Sequence, residues 1–306
     1  LQINLLILQF IAFAGMYLQL SYSKVSPKTC LIGAFCYVFS GPVISSFINY
    51  PYLASYCYLP LVLYAFRRCE SNGNWKSWSI LHFSLLLIAL EGDLFFYAFG
   101  MMLSGLLHLW SNRKINWVWL LNITAFSLIL APVWLPALQT LKLSVRAQGL
   151  GFNEVTLFSM PPAQLLQLII PDFFGFYGNF TFNGARWLAK EFPFAPRFWL
   201  DSLYLGLIPI IAFLIAIKNK PKYILFISIV LILCFGRFTP FYSILYNFIP
   251  GFDTFRFPAK FFIILPVIVL RISLKYLEQL RQTKALSLAM LRRKILTLLK
   301  NQRVLL

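Results

Sequence analysis

Nine apolar runs divide this sequence, at about 3–20, 30–48, 52–66, 77–90, 94–110, 117–139, 204–217, 223–236 and 259–275. As helices, runs approaching ~20 residues cross the ~30 Å hydrocarbon core of a bilayer. The shorter ones reach across by extending into their polar flanks. Of the 306 residues, 60% are hydrophobic and only 12% charged, against about a quarter charged in a soluble domain. Such a chain cannot hide its apolar surface behind a polar shell. The sequence therefore predicts an all-α, polytopic integral membrane protein with about nine transmembrane helices, and with interfacial helices on the outer face.

The charges are few and ordered. The formal net charge is +18, from 27 Lys+Arg and 9 Asp+Glu. In a soluble chain that balance would point to nucleic acid. Here it is read as cytoplasmic loops and lipid-contacting flanks, with no nucleic-acid partner. The connections 21–29, 67–76, 111–116 and 218–222, together with the tail from Arg271, hold 19 of the basic and 2 of the acidic residues. The alternate connections, 47–51, 91–93, 140–203 and 237–260, hold 8 and 7. The positive-inside rule makes the first set cytoplasmic, so the C-terminus is cytoplasmic and the protein multi-pass in a bacterial plasma membrane. Nine spans with that parity put Leu1 outside, and an upstream helix with its external loop is expected to precede it.

Residues 1–277 read as one polytopic domain that includes the external or interfacial segment 140–203. Within that segment QLLQLIIP (164–171) reads as an apolar interfacial helix. Residues 278–306 read as a basic amphipathic tail on the inner leaflet. The five cysteines form no CxxC or Cys/His cluster, so neither a zinc site nor a disulfide framework is expected. His82 and His108 lie in apolar runs and read as packing residues.

External charges are the informative ones, because that face otherwise avoids them. Glu91-Gly92-Asp93 joins two apolar runs with almost no loop. Its carboxylates suit a solvated turn, a general base, or ligands for a divalent cation. Asp172 in IIPDFFG follows a proline and fits a capping residue or a site carboxylate. In IPGFDTFRFPAKFF (249–262), Arg256 lies just before a helix start marked by Pro258, and Lys260 lies in its first turn. Two cations at a helix N-terminus make an anion site, and Asp253 is placed to hold Arg256. Lipid headgroup anchoring is the alternative. No P-loop, GxGxxG, HExxH or nucleophile elbow occurs, and no cofactor motif is evident.

Five segments stand in order along the chain: YVFSGPVISSFINYPYLASYCYLPLVLYAFRR (37–68), ALEGDLFFYAFG (89–100), LAPVWLPALQTLKLSVRAQGLGFNEVTLFSMPPAQLLQLIIPDFFG (130–175), LYLGLIPIIAFLIAI (203–217) and FGRFTPFYSILYNFIPGFDTFRFPAKFF (235–262). Together they resemble the bacterial YfhO membrane protein family, whose architecture is similar to that of the GT-C glycosyltransferases. Around the fourth run the family shows a Gly-His-Pro-Gln-like ending, which this chain keeps only at Gly92. The resemblance implies a membrane glycosyltransferase-like protein that moves sugar from a polyprenyl-phosphate carrier to a cell-envelope acceptor on the outer face. It implies Arg256 and Lys260, with Arg146 third, as binders of the donor phosphate. Asp93, Asp172 and Glu91 remain weaker catalytic candidates, and the catalytic loop itself is expected upstream of Leu1. An inactive fragment, or a transporter or flippase for lipid-linked sugar, are the other functions this sequence allows.

Overall fold

A computed structural model describes residues 2–93, 95–97, 100, 117–175 and 198–302, the last stretch from 284 as backbone only. The regular structure of the described residues is helical, with no strand. Ten helices carry the architecture: α1 (Gln2–Ser21), α2 (Pro27–Val38), α3 (Tyr50–Asn72), α4 (Trp75–Glu91), α5 (Trp117–Ile129), α6 (Ala131–Leu143), α7 (Leu207–Ile217), α8 (Pro221–Phe235), α9 (Pro240–Phe248) and α10 (Leu265–Gln302). Their limits follow local chemistry. Prolines open α2, α8 and α9, where a missing N–H costs nothing. Gly73, at φ +52°, closes α3 by donating its N–H to the Cys69 carbonyl. Asn74 then caps α4 by accepting from the Ser77 N–H at 3.0 Å.

α3 is the central helix, packed on α1 along one side and α4 along another. α1 and α3 meet at Gly15, where a Cβ would stand 2.9 Å from the Leu61 nitrogen. Only glycine permits that approach of two backbones. Pro60, inside α3, has no N–H to donate to the carbonyl of Tyr56. The hydroxyl of buried Tyr37 on α2 donates to that carbonyl instead, at 2.7 Å. An acceptor orphaned inside the bundle is thus satisfied from a neighbouring helix. The remaining elements join the same core: α7 packs on α10, and α8 on the 3₁₀ turn Pro258–Ile264 that leads into α10.

The outer surfaces are apolar. Ile3, Leu6 and Phe10 of α1, Ile208 and Leu214 of α7, and Leu225 of α8 stand exposed. A surface of this kind is stable only against lipid or protein. By length and hydropathy, three stretches among the described residues can cross a bilayer: Gln2–Ser21, Pro27–Ile48 and Pro221–Phe238. A fourth is formed if Leu120–Ile129 and Ala131–Leu143, bent by 70°, count as one. The chain is accordingly an all-helical membrane protein.

Nine full-length spans are not what the structure displays, and the reasons are local. The run 30–48 keeps the length and hydropathy of one span, Pro27–Ile48, although α2 gives way at Phe39-Ser40 to a short helix, Gly41–Ser45. α3 has the length but carries tyrosines and Pro60, which lower its hydropathy. α4 and α7, at 17 and 11 residues, are short. The run 94–110 lies largely outside the described residues, as do 178–187 and the side chains of the tail beyond 283. The stretch 164–171 forms a 3₁₀ helix, Pro162–Leu168, rather than an α-helix. Its Gln164 and Gln167 turn inward to the carbonyls of Leu200 and Asp201. No break separates 277 from 278: α10 runs through. There Glu278 accepts from Ser26 and Thr29 at 2.8 and 2.7 Å.

The connections sort themselves by end. Tyr22 reaches Ser71 and the Arg67 carbonyl, and Arg271 reaches Tyr223, so four connections rich in basic residues meet at one end. At the other end Tyr50 and Tyr58 meet Glu91, Ser45 meets Ser202, and the Leu150 N–H donates to the Asp253 carbonyl.

Candidate functional site

Asp93 and Lys260, 167 residues apart, meet at the second end. Lys260 Nζ lies 2.8 Å from Asp93 Oδ2, and the two side chains are 9% and 28% exposed. Each is aimed by its own backbone. Gly92 lets the turn after α4 sit directly on α3: a Cβ there would come within 2.6 Å of Ser55 Oγ and the Ile88 carbonyl. Asp93 Oδ1 then accepts from the Phe95 N–H at 2.9 Å, and the Tyr52 hydroxyl donates to the same carboxylate. Lys260 sits in the 3₁₀ turn Pro258–Ile264, its own N–H donating to the Phe257 carbonyl.

Aromatic rings enclose the ammonium. Its nitrogen lies 4.9 Å from the Tyr52 ring centre, 5.1 Å from that of Phe95 and 5.3 Å from that of Phe257. At those distances each face attracts a cation. Trp199 stacks on Phe257 at 4.7 Å and meets Tyr52 edge-on at the same distance. Phe158 packs on both Trp199 and Phe257. Phe158 and Phe257 hold left-handed backbones, at φ +56° and +71°. Each costs about 1–3 kcal/mol for a bulky residue, and such strain gathers where a site over-determines its geometry.

Burial disfavours the Asp93 carboxylate. The Lys260 charge and the hydrogen bonds from Lys260, Phe95 and Tyr52 outweigh it and hold its pKa below the ordinary 3.8. Asp93 is therefore ionised at neutral pH.

Two further cations approach. The charges of Arg146 and Arg256 both reach Lys260. The Arg256 guanidinium lies over the Phe257 ring at 5.0 Å, and its Nε is buried with no hydrogen-bond partner. The ion pair expected between Asp253 and Arg256 is not formed. Asp253 instead lies against Gly149 in the loop after α6, which leaves the Arg256 fork open. Arg146 is exposed in that same loop. Residues from four separate stretches, 52, 93–95, 146 and 256–260, thus converge on one place.

The other carboxylates do not join them. Glu91 accepts from Tyr50 at 3.2 Å and Tyr58 at 2.7 Å, so the two acids of the EGD turn serve different partners. Asp172 is exposed on the turn that its carbonyl closes with the Gly175 N–H. Nor does a ready-made helix N-terminus face an anion, because the segment after Arg256 begins as 3₁₀ and points Lys260 at Asp93. Among the described residues no three His, Cys, Asp or Glu side chains group to hold a metal ion. His82 is stacked on Phe126 at 4.5 Å, as a packing residue would be.

Sequence reasoning missed the aromatic surround. FRFPAKFF hinted at it, but Tyr52, Phe158 and Trp199 arrive from elsewhere in the chain. No protein-family model, curated protein or solved structure matches this chain.

Proposed function

We propose that this chain is a glycosyltransferase-like membrane protein of GT-C-like architecture. It works on a polyprenyl-phosphate-linked sugar at the outer face of a bacterial plasma membrane and passes the sugar to an envelope acceptor. In that membrane the nine apolar runs cross, several of them bent or short, with the basic end and the C-terminus in the cytoplasm. The observation that carries this reading is the convergence of Arg256 and Arg146 on the Asp93–Lys260 pair, with the Arg256 Nε buried and unpartnered. Its support from the sequence is that four of the five YfhO-like segments each supply a residue to this cluster.

The chemistry asked of the cluster is leaving-group stabilisation. As the bond from the sugar to its phosphate oxygen breaks, negative charge grows on the phosphate. The Arg256 fork meets two oxygens, while Arg146 and Lys260 add positive potential. Asp93 keeps Lys260 charged and aimed. The rings of Trp199 and Phe255 offer apolar faces to the sugar or to the first isoprenoid carbons.

The test is transfer from a radiolabelled polyprenyl-phosphate sugar in membranes containing this protein. Arg256→Ala combined with Arg146→Ala is expected to lower transfer by about a hundredfold with the protein level unchanged. Unaltered transfer would remove the cluster from the reaction.

A further inference from the structure

A cavity of about 650 Å³ opens at the opposite end of the bundle, between the ends of α1 and α3, the start of α8 and the first turns of α10. Along the chain it is remote from the site above: from Lys260 to Arg271 the 3₁₀ and α-helical rises add to roughly 19 Å.

Three cations line it, Arg67, Lys222 and Arg271, against the single carboxylate of Glu70. Arg67 Nη1 donates to Ser23 Oγ at 2.9 Å and to Gln19 Oε1 at 3.3 Å, all neutral acceptors. Arg271 Nη2 donates to the Tyr223 hydroxyl at 2.8 Å. Among the described residues neither arginine has a carboxylate within ion-pair distance. Burial, and then the like charge of Arg271, bring the Arg67 pKa down to about 10, so Arg67 is a cation at neutral pH. Two guanidiniums facing one cavity, neither of them ion-paired to a described carboxylate, repel each other, and an anion between them relieves that. The floor is of another kind: Leu63, Phe66, Phe226, Val267 and Ile268. A cationic rim over an apolar floor fits a ligand with a phosphate at one end and a hydrocarbon chain at the other.

We propose that this cavity is a binding site for the phosphate headgroup of an anionic lipid, seated between Arg67 and Arg271 with its acyl chain over Phe66 and Phe226. The site stands independently of the outer-face reading, because it needs only that the chain sits in a bilayer. In it the phosphate oxygens replace the hydroxyl and amide acceptors that now occupy part of each guanidinium.

The test uses the purified protein in detergent, with phosphatidylglycerol and phosphatidylcholine as competing probes and native mass spectrometry as readout. One phosphatidylglycerol should be retained in preference to phosphatidylcholine. Lys222→Gln with Arg271→Gln should weaken that retention by about thirtyfold, on the scale of two basic residues at a charged membrane surface. Arg271→Lys keeps the charge and should keep most of the binding, which separates loss of the site from loss of the fold. Glycerol phosphate supplied alone tests a soluble source. Its binding without any lipid preference would overturn the assignment, and so would equal retention of the two lipids by the unaltered chain.

Discussion

Breaking the Asp93–Lys260 pair is the sharpest structural perturbation available. At 2.8 Å and an effective dielectric of 20, the bare attraction is about 6 kcal/mol. Much of that is offset by desolvation of Lys260, and Asp93 is partly screened at 28% exposure. Asp93→Asn leaves a 9%-exposed ammonium with only ring faces for company, at a cost of about 3 kcal/mol. Lys260→Met leaves a carboxylate that keeps the Phe95 and Tyr52 bonds, at about 2 kcal/mol. The double variant should cost about 3 kcal/mol rather than the additive 5, a coupling of about 2 kcal/mol. Unfolding of the detergent-solubilised chain by SDS titration, followed by tryptophan fluorescence, measures all three. Additivity within about 0.5 kcal/mol would show that the pair is not a stabilising contact. Because the folded Asp93 pKa lies below its ordinary 3.8, the pair contributes fully above that pH. It is lost as pH falls through the lowered value, so the coupling should be flat from neutrality to about pH 5 and should fade only in stronger acid.

Gly92→Ala should push the turn off α3, because the new methyl would be caught between Ser55 Oγ of α3 and the Ile88 carbonyl of α4. It is expected to lower stability by about 1–3 kcal/mol in the same titration and to reduce activity beyond that loss by misplacing Asp93. Gly15→Leu should be worse, since backbone stands in its way, and should abolish recovery of a monodisperse peak in size-exclusion chromatography. Tyr37→Phe removes the donor to the Tyr56 carbonyl that Pro60 leaves bare, and should cost about 1–3 kcal/mol with a buried acceptor unpaired. Glu278→Gln weakens the link from α10 to Ser26 and Thr29 by about 1 kcal/mol, and limited proteolysis should then cut the end of α10 faster.

The helical class was legible from the periodic apolar runs, and so was the grouping of the basic connections at one end. Those signals are local or statistical. The number of full-length spans was less legible. Apolar content cannot tell that α4 and α7 stop at 17 and 11 residues, or that the tyrosines of α3 look inward. Within the site, Asp93, Arg146, Arg256 and Lys260 stood out because charge is rare on that face. That Asp93 pairs with Lys260 while Glu91 serves two tyrosines depends on the Gly92 turn and the entry to α10, which no spacing encodes. The same blindness hid the second cavity. Arg67, Lys222 and Arg271 read only as orienting charges until the fold placed them around one space.

Phosphate binding at the outer face requires that the two ends of the bundle face opposite sides of the membrane. The direct measurement is labelling of single cysteines in intact cells, on a cysteine-free background, with a membrane-impermeant maleimide. Asp172→Cys and Lys218→Cys occupy exposed positions at the two ends. Residue 172 should be labelled from outside and residue 218 only after the cells are opened. Labelling of 218 from outside, or protection of 172 until lysis, would contradict it.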